Sequence, residues 1–294
     1  MPTSRAVFVL GMHRSGTSAI ARGISSLGVY LGNDFLDAQP ENPTGYWEDR
    51  NLVALDDRVL ESFGLRWDGI GRIDPRGFES RKVRKLQREA ASYCRKRLAS
   101  RTLWGFKDPR AIRVLPFWQN VLRDCGAQDS YVVATRNPRS IAASLFARQG
   151  MIPDDAYRLW LVHMVPFLHT IARAPFVVVD YDLLMQQPRR ELARMGRALK
   201  LEAGDEADRF VAEFLNPSLR HSSFSFDDLE DATPAAQLTK TAYALLFGLA
   251  QDRLDPRVFW PSWREIEVQV AALIPAADPS RDRPFSLKRW FSRS

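Results

Sequence analysis

Apolar residues gather in four short, nearly continuous runs, Ala6–Leu10, Thr102–Phe106, Tyr131–Thr135 and Phe176–Val179, each closed by polar or turn-forming residues. Runs without alternation are what parallel strands covered on both faces require, because every side chain then meets a packed layer. Between the runs the apolar spacing changes to the helical period. It predicts a helix after Gly16 up to Leu27 and one carried by Leu52, Leu55, Val59, Leu60 and Phe63 that stops at Gly64. Others follow at Ser80–Ser100, at Pro116–Cys125, and at Arg139–Gln149 with Pro138 at its first position. Asp154–Arg173, Arg189–Leu199 and Asp205–Leu215 continue the series. Strands alternating with helices predict an α/β chain with a doubly wound parallel sheet flanked by helices. The acidic, Ser- and Pro-containing stretch Ser222–Ala236 reads as a linker, with Leu238–Leu254 and Ser262–Leu273 as helices beyond it. The expected division is residues 1–222 as the α/β domain and 223–294 as a linker and helical C-terminal extension packed on it.

In such sheets ligands lie beyond the carboxyl ends of the strands. Those ends carry Gly11–Ser18, Lys107-Asp108-Pro109-Arg110, Arg136-Asn137-Pro138-Arg139-Ser140 and Asp180-Tyr181-Asp182. Gly11 and Gly16 are spaced as in a phosphate-cradling loop, where backbone N–H groups and the following helix N-terminus face an anion, so the fold is expected to be P-loop-like. A triphosphate loop would place Lys at position 17. Here Thr17 stands there and the cation is Arg14, whose planar fork suits one phosphate or sulfate group. The expected anion is therefore shorter than a triphosphate. Arg136 at a strand end and Ser140 in the next first helical turn form a second anion grip.

Glu48 and Asp49 are expected in the first turn of the helix containing Leu52, where the dipole favours acidic residues and where a catalytic carboxylate would also fit; both readings stay open. The helix Ser80–Ser100 carries Arg81, Lys82, Arg84, Lys85, Arg88, Arg95, Lys96 and Arg97 around an apolar stripe, as a solvated face or as a docking surface for an acidic partner.

Composition narrows the field. With 294 residues, 45% of them hydrophobic, the chain can bury a large core. A net charge of +7 points to anionic ligands without choosing among them. The two cysteines, Cys94 and Cys125, lack metal-ligand spacing and read as reduced thiols. His163 and His169, six apart, do not share a face in the manner of zinc ligands, so no metal site is expected. No apolar run approaches the roughly 18 to 20 residues that span a bilayer, and Arg5 leads straight into the first strand without a cleavable signal pattern, so the expected location is the cytoplasm. The basic tail Phe285–Ser294 is either a frayed terminus or a peripheral contact with an anionic membrane surface.

With these pieces in order, the chain resembles the sulfotransferases that use 3′-phosphoadenosine-5′-phosphosulfate (PAPS), especially a bacterial branch. Gly11-Met-His-Arg-Ser-Gly-Thr-Ser18 is similar to the family's 5′-phosphosulfate loop, and Arg136-Asn-Pro-Arg-Ser140 to its 3′-phosphate motif. Trp104-Gly-Phe-Lys107-Asp-Pro109 resembles a segment of tyrosylprotein sulfotransferases whose lysine stabilises the transferring group. Their acidic base follows the first helix, as Glu48 does here. The resemblance covers roughly residues 5 to 222. The chain departs from the family in having no Gly-rich, Lys-containing segment late in the sequence, a place that Arg220 or His221 would fill.

The resemblance implies PAPS as co-substrate, held by Gly11, His13, Arg14, Ser15, Gly16, Thr17, Ser18, Arg136, Ser140 and Arg220, with no metal. It implies catalysis by Glu48, Lys107 and Arg14, Asp108 and His13 being the alternative bases. The acceptor would be a hydroxyl of a glycan, lipid, metabolite or protein, anionic if the basic helix docks it, and nucleic acid is not an expected partner. Two rival readings are a kinase or nucleotide hydrolase, with Asp180 after Phe176-Val-Val-Val as a magnesium ligand, and a non-catalytic polyanion-binding protein.

Overall fold

The computed structural model describes residues 4–39, 45–202, 204–214, 224–226, 228–229 and 232–277. The four apolar runs form strands β1 (Arg5–Leu10), β2 (Leu103–Lys107), β3 (Gln128–Thr135) and β4 (Phe176–Asp180). All neighbours are parallel, in the order β2-β1-β3-β4. β3 begins earlier than its apolar run because Gln128, Asp129 and Ser130 lie opposite Arg5, Ala6 and Val7, whose backbone hydrogen bonds offset the weak strand preference of those polar residues.

Alternate strand residues face two separate cores, as a doubly wound sheet requires. Phe8, Leu10, Trp104, Phe106, Tyr131 and Val133 enter the larger one; Val7, Val9, Val132, Ala134, Val177 and Val179 enter the other. The smaller core is covered by α1 (Thr17–Ser26) and α8 (Pro188–Leu199), with α9 (Asp205–Arg209). The larger is covered by α2 (Arg50–Ser62), α3 (Arg81–Ser100), α4 (Leu115–Asp124), α5 (Pro138–Gln149) and α6 (Pro153–Met164), and by α10 (Pro234–Ala250) and α11 (Pro256–Leu273). A short α7 (Tyr181–Gln186) follows β4 directly.

Several boundaries differ from the sequence expectation, each for a local reason. Glu48 and Asp49 lie outside the first turn of α2: Asp49 is its cap, accepting from Asn51 N and Leu52 N, and Glu48 precedes it outside any helix or strand. The helix expected over Asp154–Arg173 ends at Met164, because Pro166 supplies no N–H to continue the ladder; only a 3₁₀ turn, Leu168–Ile171, follows. The segment expected as Asp205–Leu215 is α9 followed by a π turn at Phe210–Phe214. α10 and α11 start earlier than expected, at Thr233-Pro234 and Asp255-Pro256, where Thr233 accepts from Ala236 N and Asp255 from Arg257 N while proline fills the first helical position. Among the described residues no helix is long and apolar enough to cross a membrane, and both cysteines are free. The tail Phe285–Ser294 lies outside the described residues.

Candidate active site

The first loop is closed by its own side chains. Ser15 Oγ donates to Met12 O at 2.6 Å, and Arg14 stands at φ 69°, a backbone conformation that a non-glycine residue adopts at a cost. Gly16, at φ 81°, could not be replaced simply: a Cβ there would come within 2.1 Å of the Tyr181 ring. A Cβ on Gly11 would come within 2.7 Å of Ala134 O. Gly16 is the N-cap of α1 and has no side chain to satisfy the first-turn N–H groups, which are thereby available to an anion that also gains from the helix dipole.

The second motif comes to the first. Arg136 follows β3, stacks its guanidinium 4.8 Å over the Tyr181 ring, and points Nη1 to Arg14 O at 3.5 Å. Arg14 in turn donates from Nε to Ser144 Oγ on α5 at 2.8 Å. Asn137 caps α5 through Arg139 N, and its amide donates to Phe224 O and Ser225 O at 3.1 and 2.7 Å, tying a piece of the expected linker to this motif. Ser140 Oγ and Thr135 Oγ1 are buried and lack a hydrogen-bond partner within the described residues. Orphaned hydroxyls beside an arginine and a helix N-terminus fit a bound phosphate better than they fit an apolar interior. Arg220 and His221 lie outside the described residues.

Lys107 leaves the end of β2 and reaches three groups: Glu48 Oε1 at 2.5 Å, Tyr46 O at 2.8 Å and Ser18 Oγ at 3.3 Å. It therefore joins the first turn of α1 to the proposed base. Burial raises the Glu48 carboxyl above its ordinary range, against the pull of the Lys107 ammonium. Arg110 stands behind them, with Nη1 2.9 Å from Asp108 Oδ1 and 3.6 Å from Glu48 Oε2, and Nε 2.7 Å from Asp57 Oδ1. Burial works against the Arg110 charge, but these three carboxylates outweigh it and hold the guanidinium firmly protonated.

Asp108 does not pair with Lys107; it accepts from Arg110 N and Nη1. His13 packs against Trp67 at 4.6 Å and lies 5.9 Å from His163, ring centre to ring centre. Burial, then Arg110, hold its imidazole well below the usual histidine range and so neutral. His163 Nδ1 lies 2.8 Å from Leu159 O; since a carbonyl only accepts, that nitrogen carries the proton. Asp180 caps α7 through Asp182 N and Leu183 N and accepts from Tyr243 OH at 3.1 Å, so its two oxygens already have structural duties.

Gly11, Arg14, Ser15, Gly16, Thr17, Ser18, Arg136 and Ser140 thus gather at one end of the sheet, with Lys107 and Glu48 adjoining through Ser18. Arg110, Tyr181 and Ser144 were assigned no role from the sequence. Arg110 had a signal, its place two residues after Asp108 at a strand end; Tyr181 and Ser144 had none, since only the fold brings them to the loop.

The sequence matches no protein-family model and no curated protein. Three solved structures similar to the chain are sulfotransferases. The sulfotransferase domain of the Synechococcus PCC 7002 olefin synthase is 14% identical with a TM-score of 0.49, covering 83% of this chain and 96% of its own. The sulfotransferase domain of the curacin biosynthetic pathway is 14% identical with a TM-score of 0.46, over 83% and 98%. A sulfotransferase of Mycobacterium tuberculosis H37Rv is 18% identical with a TM-score of 0.41, over 81% and 76%.

Proposed function

We propose that the protein is a sulfotransferase that moves a sulfuryl group from PAPS to the hydroxyl of an acceptor. The observation that carries this reading is Lys107: one buried ammonium touches Ser18 at the start of the phosphate loop's helix and Glu48, a carboxylate with a raised pKa. A stabiliser of leaving-group charge and a proton acceptor are thereby held within one hydrogen-bond network beside an anion cradle. In the proposed reaction the acceptor oxygen bonds to sulfur, the bond from sulfur to the 5′-phosphate oxygen breaks, and the hydroxyl proton passes to Glu48. Glu48 Oε2 is the better placed oxygen, because Oε1 is engaged by Lys107 while Oε2 has Arg110 only at 3.6 Å. The loop N–H groups and Arg14 would hold the 5′ end, and Arg136 with Ser140 the 3′-phosphate. Such transfers pass through loose in-line transition states, for which positioning and charge neutralisation suffice.

The test is thermal. 3′,5′-Diphosphoadenosine without magnesium should raise Tm, ATP with magnesium much less, and Arg136→Ala should weaken the diphosphate more than adenosine 5′-phosphate. Equal stabilisation by ATP, strengthened by magnesium, would overturn the reading. Incubation with labelled PAPS and fractionated cell extract then identifies the acceptor by the fraction that takes up label.

A further inference from the structure

Beneath the Lys107–Glu48 pair lie two carboxyls that the proposed reaction does not use. Asp56 on α2 and Asp108 after β2 are each fully buried, and Asp108 lies near enough to raise the Asp56 carboxyl both by its charge and as a side-chain hydrogen-bond partner. Asp56 Oδ1 accepts from Trp118 Nε1 at 2.7 Å, and Asp108 Oδ1 accepts from Arg110 N and Nη1, both at 2.9 Å. Among the described residues that leaves Asp56 Oδ2 and Asp108 Oδ2 buried without an N–H or O–H donor from another residue. Two carboxylates cannot donate to each other. Two bare anions in contact inside a core would repel strongly, whereas one proton between them turns the contact into a charge-assisted hydrogen bond.

We propose that Asp56 is a protonated positioning residue, whose carboxyl donates to Asp108 and thereby fixes the carboxylate that aims Arg110 at Glu48. Charge balance supports the assignment. Lys107, Arg110, Glu48 and Asp108 are all nearly buried and sum to zero if ionised; an ionised Asp56 would add an uncompensated negative charge. Among the described residues the polar and charged groups that face Asp56 are Asp108 and Arg110 from the segment after β2 and Trp118 from α4, and burial followed by Asp108 pushes the Asp56 carboxyl well above its ordinary range. Asp57, the next residue, points the other way, to Arg110 Nε from the more exposed side. The chain Trp118–Asp56–Asp108–Arg110 thus carries the packing of α4 to the cation behind the base.

The catalytic half of this inference rests on the sulfotransferase reading; the proton does not. Asp56→Asn keeps an acceptor for Trp118 and supplies an N–H donor for Asp108, so it copies the protonated acid, while Asp56→Leu supplies neither. Infrared difference spectra at pH 8, above the range in which Asp180 titrates, should show a protonated-carboxyl band in the wild type that is lost in Asp56→Asn. The Tm of Asp56→Asn should match or exceed that of the wild type at pH 8. In single-turnover sulfuryl transfer Asp56→Asn should stay within about threefold, while Asp56→Leu should lose roughly 10²-fold in kcat through misplacement of Arg110, with affinity for 3′,5′-diphosphoadenosine unchanged in both. An unchanged carboxyl band, or an Asp56→Asn variant with a Tm several degrees lower, would overturn the proposal, and both readings stand even if Asp56→Leu does not fold. A lost band in a protein that transfers no sulfuryl group would instead keep the shared proton and discard the reaction.

Discussion

Lys107 Nζ and Glu48 Oε1 approach to 2.5 Å across 59 residues of sequence, with side chains only 2% and 6% exposed. Removing two charges from water costs several kcal/mol per ion, and their attraction repays it only while both partners are present. Glu48→Gln should therefore act twice. It leaves the ammonium uncompensated, lowering stability by about 3–5 kcal/mol, and it removes the proposed base, lowering kcat by about 10²- to 10⁴-fold. Affinity for 3′,5′-diphosphoadenosine, read by calorimetry on the folded fraction, should hardly change. A near-normal kcat for Glu48→Gln beside an inactive Asp108→Asn or His13→Ala would move the base elsewhere.

Gly16 and Tyr181 offer a sharper test of the anion cradle. Gly16→Ala puts a Cβ into the ring at 2.1 Å and forces an L-residue to φ 81°, the latter alone costing on the order of 1–3 kcal/mol. Because Tyr181 is also the platform under Arg136, the displaced ring should carry that guanidinium with it. The expected pattern in a double-mutant cycle is a large Tm loss for Gly16→Ala, partial recovery with Tyr181→Ala added, and no recovery of diphosphate binding. Additive effects would mean that the ring and the loop are independent.

Asp180 gives the protein a predictable dependence on pH. Burial raises its carboxyl to about 7, whereas in the unfolded chain it titrates near pH 4. Between those values the folded state holds a proton that the unfolded state has released, so stability falls as pH rises from 4 to 7 and the loss is complete above 7. Asp180→Asn keeps an oxygen to cap α7 and has no proton to hold. Its Tm relative to the wild type should improve across that window and then stay level; a difference independent of pH would refute the assignment.

The long basic helix is not uniform. Lys82, Lys85 and Arg88 project from its exposed face, but Arg97 turns inward, with Nη2 3.2 Å from Asp49 Oδ2, alongside Tyr93 OH, which donates to that same oxygen at 2.6 Å. Since Asp49 is 1% exposed and caps the helix that begins beside Glu48, Arg97→Ala should cost about 1–3 kcal/mol in urea unfolding. Lys85→Ala should stay within about 0.5 kcal/mol.

The strands and the first loop were legible because their signals are local. Four apolar runs needed only a neighbouring layer on each face, and Gly11 and Gly16 stand where no Cβ fits. The break at Pro166 and the starts at Pro234 and Pro256 were equally local and could have been read from proline alone. Arg110 was different. Its meaning depends on Glu48, Asp57 and Asp108 arriving from two elements, and nothing in the spacing of one segment states the geometry of another. The same holds for Asp56, which by period is an interior position of α2 and becomes chemical only when β2 delivers Asp108 beside it.

The order β2-β1-β3-β4 also has a consequence for the chain as it emerges from the ribosome. β1 is made first, yet its hydrogen-bonding partners begin at Leu103 and Gln128, about a hundred residues later. At roughly 5–20 residues per second the apolar segment Ala-Val-Phe-Val-Leu must wait on the order of 5–25 seconds before either edge can be paired. During that time it is an exposed template for β association, and the Gly11–Gly16 loop that depends on β1 does not yet exist. Expression at low temperature or with added chaperone should therefore change the soluble yield more than its equilibrium stability would suggest, because the vulnerable species is a nascent chain and not the finished fold.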